Sequence, residues 1–128
     1  NFPKNYQVLC TNCNWIKYRE SQKSLLSQTK ENIRSRKKVL KLKTEVFSHY
    51  SKGLPRCSCC GIDTLDVLSL DHIDGRKNAT HKKNLDGHEL YTWIRQNEYP
   101  EGFQILCMMC NFAKGMKSND NKCPHEMN

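Results

Sequence analysis

Six of the eight cysteines in this 128-residue chain fall in Cys-x-x-Cys pairs: Cys10/Cys13, Cys57/Cys60 and Cys107/Cys110. A pair at that spacing brings two thiolates of one tight turn to the same ion, so it favours metal ligation over disulfide bonding. Cys57, Cys60, Cys107 and Cys110 together make a four-sulfur set, the soft tetrahedral environment that suits structural Zn2+. Such an ion would join two turns about 50 residues apart in the chain. A staple is needed because hydrophobic content is only 37%, and small domains with thin cores rarely hold without one. Cys59 lies inside the first knuckle as a spare that could substitute as a ligand. Cys10, Cys13, Cys123 and His125 remain; they could form a second Cys3His zinc site clipping the two termini together, the alternative being that Cys10 and Cys13 lost their partners with the absent front half of an earlier copy.

An internal repeat organises the chain. Pro3, Gln7, Leu9, Cys10, Cys13, Asn14 and Lys17 match Pro100, Gln104, Leu106, Cys107, Cys110, Asn111 and Lys114 in order and spacing. Residues 1–17 therefore read as the tail of an earlier copy, with a strand, a knuckle and the start of a helix. Either the chain is a fragment of a tandem protein, or the first copy has decayed. Residues 18–53 read as a basic helical linker, one long helix or two, stopped by Gly53. Leu26, Ile33, Leu40 and Phe47 recur every seven residues there. Residues 54–128 form the zinc module and its polar tail. Within it the pattern predicts a strand in 65–70, a helix from Asp86 to about Asn97, a strand over 103–106 and a short helix ended by Gly115.

Net charge is +8, and it is concentrated. Residues 17–56 carry 12 Lys/Arg against 3 Asp/Glu, leaving 9 against 10 elsewhere. A basic stretch of this kind points to a polyanionic partner, most simply nucleic acid. The first residues of this sequence form no apolar h-region, and no run is long enough for a membrane span. With metal-type cysteine usage, the expectation is an intracellular protein. It is expected not to be secreted and to have no membrane partner.

Asp71-His72 closes the first predicted strand, and Asn111 follows Cys110 directly. If the zinc pins the knuckles together, Asp71 and Asn111 can converge on one Mg2+ or other divalent cation, with His72 beside it. A carboxylate and an amide oxygen would hold a hard ion with open positions for phosphate. A neutral imidazole can take a proton from attacking water.

At these residues the chain resembles a known family. Cys-x-x-Cys, Leu70-Asp71-His72-Ile73-Asp74-Gly75, Tyr99-Pro100-Glu101-Gly102-Phe103-Gln104-Ile105-Leu106-Cys107 and the closing Cys123-Pro124-His125 are similar to HNH endonucleases with a ββα-metal core. The likeness is closest to small HNH-like proteins of phage and metagenomic type, and it spans about residues 39–125. It implies an α+β fold: a zinc-stapled HNH-like core preceded by a long basic helix. It implies His72 as general base, and Asp71 and Asn111 as ligands of the catalytic ion. The asparagine that orients the base in the family is replaced by Gly102; Asn97 or Asn84 could substitute if the loop folds back. His81 and His88, in the same loop, are expected to be solvated or to face phosphate. The function implied is metal-dependent hydrolysis of phosphodiester bonds, with DNA the expected substrate. The alternative is a non-catalytic, zinc-stapled binding or structural module of a larger nucleoprotein or virion assembly.

Overall fold

The computed structural model describes residues 2–23, 25, 26, 28–82, 84–116 and 122–127. Residues 117–121 and Asn128 of the expected polar tail lie outside them. The elements are α1 (Thr11–Lys23), α2 (Lys30–Ser51), β1 (Leu68–His72), α3 (Gly87–Gln96), β2 (Phe103–Cys107) and α4 (Met108–Lys114), with single 3-10 turns at Leu65–Val67, Arg76–Asn78 and Pro124–Met127. The fold is a small α+β structure built around one two-stranded antiparallel sheet.

The basic stretch forms two helices. Thr29 caps the second by accepting the Asn32 N–H on its hydroxyl, which satisfies one of the four orphan donors of a helix start. Only the C-terminal half of α2 is buried, through Leu42, Val46 and Phe47. Its first turns run free of the core and display Lys30, Arg34, Lys37, Lys38 and Lys41 around one groove. The helix ends one residue earlier than its glycine suggests. Lys52 takes the left-handed conformation (φ 54°), and Gly53 donates its N–H back to Ser48 O, closing a Schellman-type turn.

Leu90 and Ile94, one helical turn apart on α3, meet α2, with Phe47 and Tyr91 edge to face at 5.5 Å. β1 pairs with β2 from Leu68↔Cys107 to His72↔Phe103. Directly opposed residues share a face, so Ser69 and Asp71 lie with Leu106 and Gln104, and Leu70 and His72 with Ile105 and Phe103. Ser58 of the first knuckle donates its backbone N–H to Ile105 O at 2.8 Å, which seats that knuckle against β2.

The two repeat copies share one local geometry. The Cys13 N–H donates to Cys10 Sγ at 3.4 Å, as the Cys110 N–H does to Cys107 Sγ at 3.4 Å. A helix follows directly in both. The strand expected before the first knuckle does not form: residues 2–10 hold neither helix nor strand, and Val8 is fully exposed. The physical reason is the absence of a partner, since β2 exists by pairing with β1 and residues 2–10 have no such neighbour. Instead α1, which runs through residue 17, docks as a helix on the second copy. Asn12 Oδ1 accepts the Met109 N–H at 3.0 Å, and Trp15 Nε1–H donates to Asp66 O at 2.8 Å. Among the described residues, no helix is long and apolar enough to cross a membrane.

Candidate functional site

The cysteines converge as two sets of potential metal ligands. Cys57, Cys60, Cys107 and Cys110 form one; Cys59, Cys110, Cys123 and His125 form the other. Within each set the ligand atoms all lie within 4.8 Å of one another. The first set is the four-sulfur group anticipated from spacing. The second corrects the expected terminal clip: Cys123 and His125 meet Cys59 and Cys110, not Cys10 and Cys13. The latter two are exposed and, among the described residues, belong to no such group. Docking of α1 through Asn12 and Trp15 explains the difference, because α4 and the Leu65–Val67 turn fix where the first knuckle lies. Cys59, expected as a spare, is a full member of a set.

Both sets have the chemistry of a soft-cation site. Burial pushes the Cys59 thiol up to about 11 and also raises Cys60 and Cys110. Cys107 behaves oppositely. Burial would raise it, but hydrogen bonds from the Asn12 side chain and the Cys110 N–H outweigh burial and bring it down to about 7. Crowding and burial thus favour the thiol at Cys59, Cys60 and Cys110, and a bound cation would turn them into thiolates.

A cavity of about 420 Å³ opens where β1 ends, lined by Asp71, His72, Arg76, Asn111 and Lys114 among others. The three residues expected to act together therefore reach one space. Their partners were not expected. Lys114, 5% exposed, donates from Nζ to Asp71 Oδ2 at 2.6 Å, to His72 O at 2.9 Å and to Ile73 O at 3.0 Å. Gln104 Nε2 donates to the same Asp71 oxygen at 2.8 Å. Asn111 Nδ2 donates to Ser69 Oγ at 2.9 Å. Asp71 is thus held by an ammonium rather than standing as an unpaired carboxylate.

His81 departs most from expectation. It is buried, and its Nε2 lies 2.8 Å from His72 Nε2. Its Nδ1 lies 2.7 Å from Lys82 O. A carbonyl only accepts, so the proton of that bond belongs to His81 Nδ1. Neutral His81 must then accept at Nε2, and His72 donates from its own Nε2. The lone pair of His72 is left on Nδ1. Burial lowers the His72 pKa first, and the positive charge of nearby Arg76 acts in the same direction, so the neutral ring is favoured. Gly102 cannot do this work: φ is 100°, a backbone conformation that disfavours asparagine or any other side chain. The two proposed stand-ins are elsewhere, Asn97 bonding Trp93 O at the end of α3 and Asn84 exposed. His88 is exposed, as expected.

Sequence spacing alone did not mark His81 or Lys114. The repeat did carry a signal for the second, since Lys114 matches Lys17. No protein-family model, no curated protein and no solved structure matches the chain.

Proposed function

We propose that this chain is an HNH-type endonuclease that hydrolyses nucleic-acid phosphodiester bonds, with β1, β2 and α4 as a ββα core stapled by zinc at Cys57, Cys60, Cys107 and Cys110. The observation that carries the reading is the 2.8 Å contact of His72 with His81 beside a cavity that His72 lines together with Asp71 and Asn111. His72 Nδ1 takes the proton of the attacking water. His81 holds the ring in the tautomer that leaves Nδ1 basic, the task for which the family uses asparagine. Arg76 and Lys114 bring positive charge to the cavity that receives the phosphate. Asp71 and Asn111 offer two oxygens to a divalent cation, a sparse set that fits an ion held otherwise by water and phosphate. When bound, that cation supplies Lewis-acid stabilisation of the leaving oxygen.

His72→Ala is expected to reduce magnesium- or manganese-dependent nicking of supercoiled plasmid by about 10²–10⁴-fold, with metal content and nucleic-acid binding unchanged. Full activity in that variant would remove His72 from the mechanism. His81→Ala should lower activity as well, and His81→Asn should recover part of the loss, because an amide oxygen can accept the same bond from His72.

The groove of Lys30, Arg34, Lys37, Lys38 and Lys41 on α2 is the proposed backbone-binding surface; it would hold phosphate without reading sequence. Replacing Lys37, Lys38 and Lys41 with alanine should flatten the log–log salt dependence of binding by about 2–3 units. An unchanged slope would place the polyanion elsewhere.

One observation favours a second reading, the non-catalytic binding module of a larger assembly: the Lys114 ammonium already neutralises Asp71. Salt-sensitive binding with no nicking under any divalent metal would select it.

A further inference from the structure

We propose that the chain holds two metal ions in one cluster and that the thiolate of Cys110 bridges them. The two four-membered ligand sets share Cys110 and no other residue, so seven groups, six cysteines and one histidine, serve both. Two tetrahedral ions joined by a single bridging ligand require that number.

The distances are those of coordination. Zn–S bonds of about 2.3 Å and Zn–N bonds of about 2.0–2.1 Å at tetrahedral angles put sulfurs about 3.8 Å apart and sulfur about 3.5 Å from nitrogen. Cys60 Sγ lies 3.8 Å from Cys107 Sγ. His125 Nδ1 lies 3.4 Å from Cys123 Sγ, 3.5 Å from Cys59 Sγ and 3.6 Å from Cys110 Sγ. A ring nitrogen has one proton or one lone pair, so it cannot bond three sulfurs at once. Its nearly equal approach to all three is the arrangement that a common ion at their centre requires.

Charge leads to the same stoichiometry. Cys57, Cys107, Cys110 and Cys123 are each at most 2% exposed, and uncompensated thiolates in such a place are costly. Two dications leave six thiolates with the same residual charge that one dication leaves on four. The knuckle sequence serves both ions: Cys57 and Cys60 ligate the first, and Cys59 between them ligates the second. The second ion then ties the Cys123–His125 segment to the start of α4.

The test is a metal count on the full chain, by elemental analysis and native mass spectrometry at saturating zinc. Two ions per chain are expected; one per chain overturns the proposal. Replacement with ¹¹³Cd then reads the bridge. Two resonances that split each other through the Cys110 sulfur are expected, and two unsplit resonances would refute the shared ligand. His125→Ala, at the periphery, should fall to one ion per chain while keeping its circular dichroism spectrum. Retention of two ions in that variant would also count against the assignment. These readouts do not depend on cleavage, so they stand or fall separately from the nuclease reading.

Discussion

Stripping metal from the chain with a chelator is expected to unfold the sheet and α4 together rather than loosen them. Four of the ten largest fully buried side chains are cysteines: Cys57, Cys107, Cys110 and Cys123. The potential metal ligands are therefore part of the core itself, in one cluster with Phe47, Ile94, Ile105 and Leu106. Metal binding in small zinc-dependent domains is worth about 10–16 kcal/mol in apparent free energy. The whole stability of an ordinary domain is only about 5–15 kcal/mol. Loss of the ion should exceed what the apolar residues hold in reserve. Far-UV circular dichroism and thermal melting, with and without chelator under reducing conditions, are the measurements. The folded signal and its cooperative melt should disappear and return on adding zinc. A melting temperature unaffected by chelation would show that the cysteines pack as an ordinary core.

Much of this architecture was legible because it is local. Short apolar stretches marked both strands to within a few positions, and the helix expected from Asp86 to about Asn97 is α3, Gly87–Gln96. Cys57, Cys60, Cys107 and Cys110 were legible as one set because each pair is its own tight turn. Partition of the remaining ligands was not, because it depends on where the chain returns after α4 and on where α1 docks. Spacing offered Cys10 and Cys13 as partners for Cys123 and His125; the packing of Asn12 against Met109 decided otherwise. The pocket divides in the same way. Asp71 and His72 sit at a recognisable strand end. The 2.8 Å contact of His72 with His81 depends on a loop path that no periodicity encodes. Gly102 was legible as a departure from the family pattern, and its positive φ explains why a side chain is disfavoured there.

The same limit hid Lys114, and its replacement should have the second large effect. Lys114→Met leaves the Asp71 carboxylate, 11% exposed, with Gln104 and without its cation. Removing one partner of a buried ion pair costs about 3–5 kcal/mol, because the other charge stays buried. At this chain length the melting temperature should fall by roughly 10 °C or more. Part of the cost comes from β1 as well, since the ammonium also satisfies the carbonyls of His72 and Ile73. Asp71→Asn combined with Lys114→Met should therefore cost clearly less than the two single changes added together. Strict additivity would mean that the pair is not coupled. The single variant also probes the pocket. If Asp71 can ligate a cation, millimolar Mn2+ should restore part of the melting temperature lost in Lys114→Met, with the metal taking the place of the ammonium. The double variant, without the carboxylate, should show no such recovery. Equal response in both variants would mean that Asp71 serves as the counter-ion of Lys114, and the divalent-metal role would pass from it.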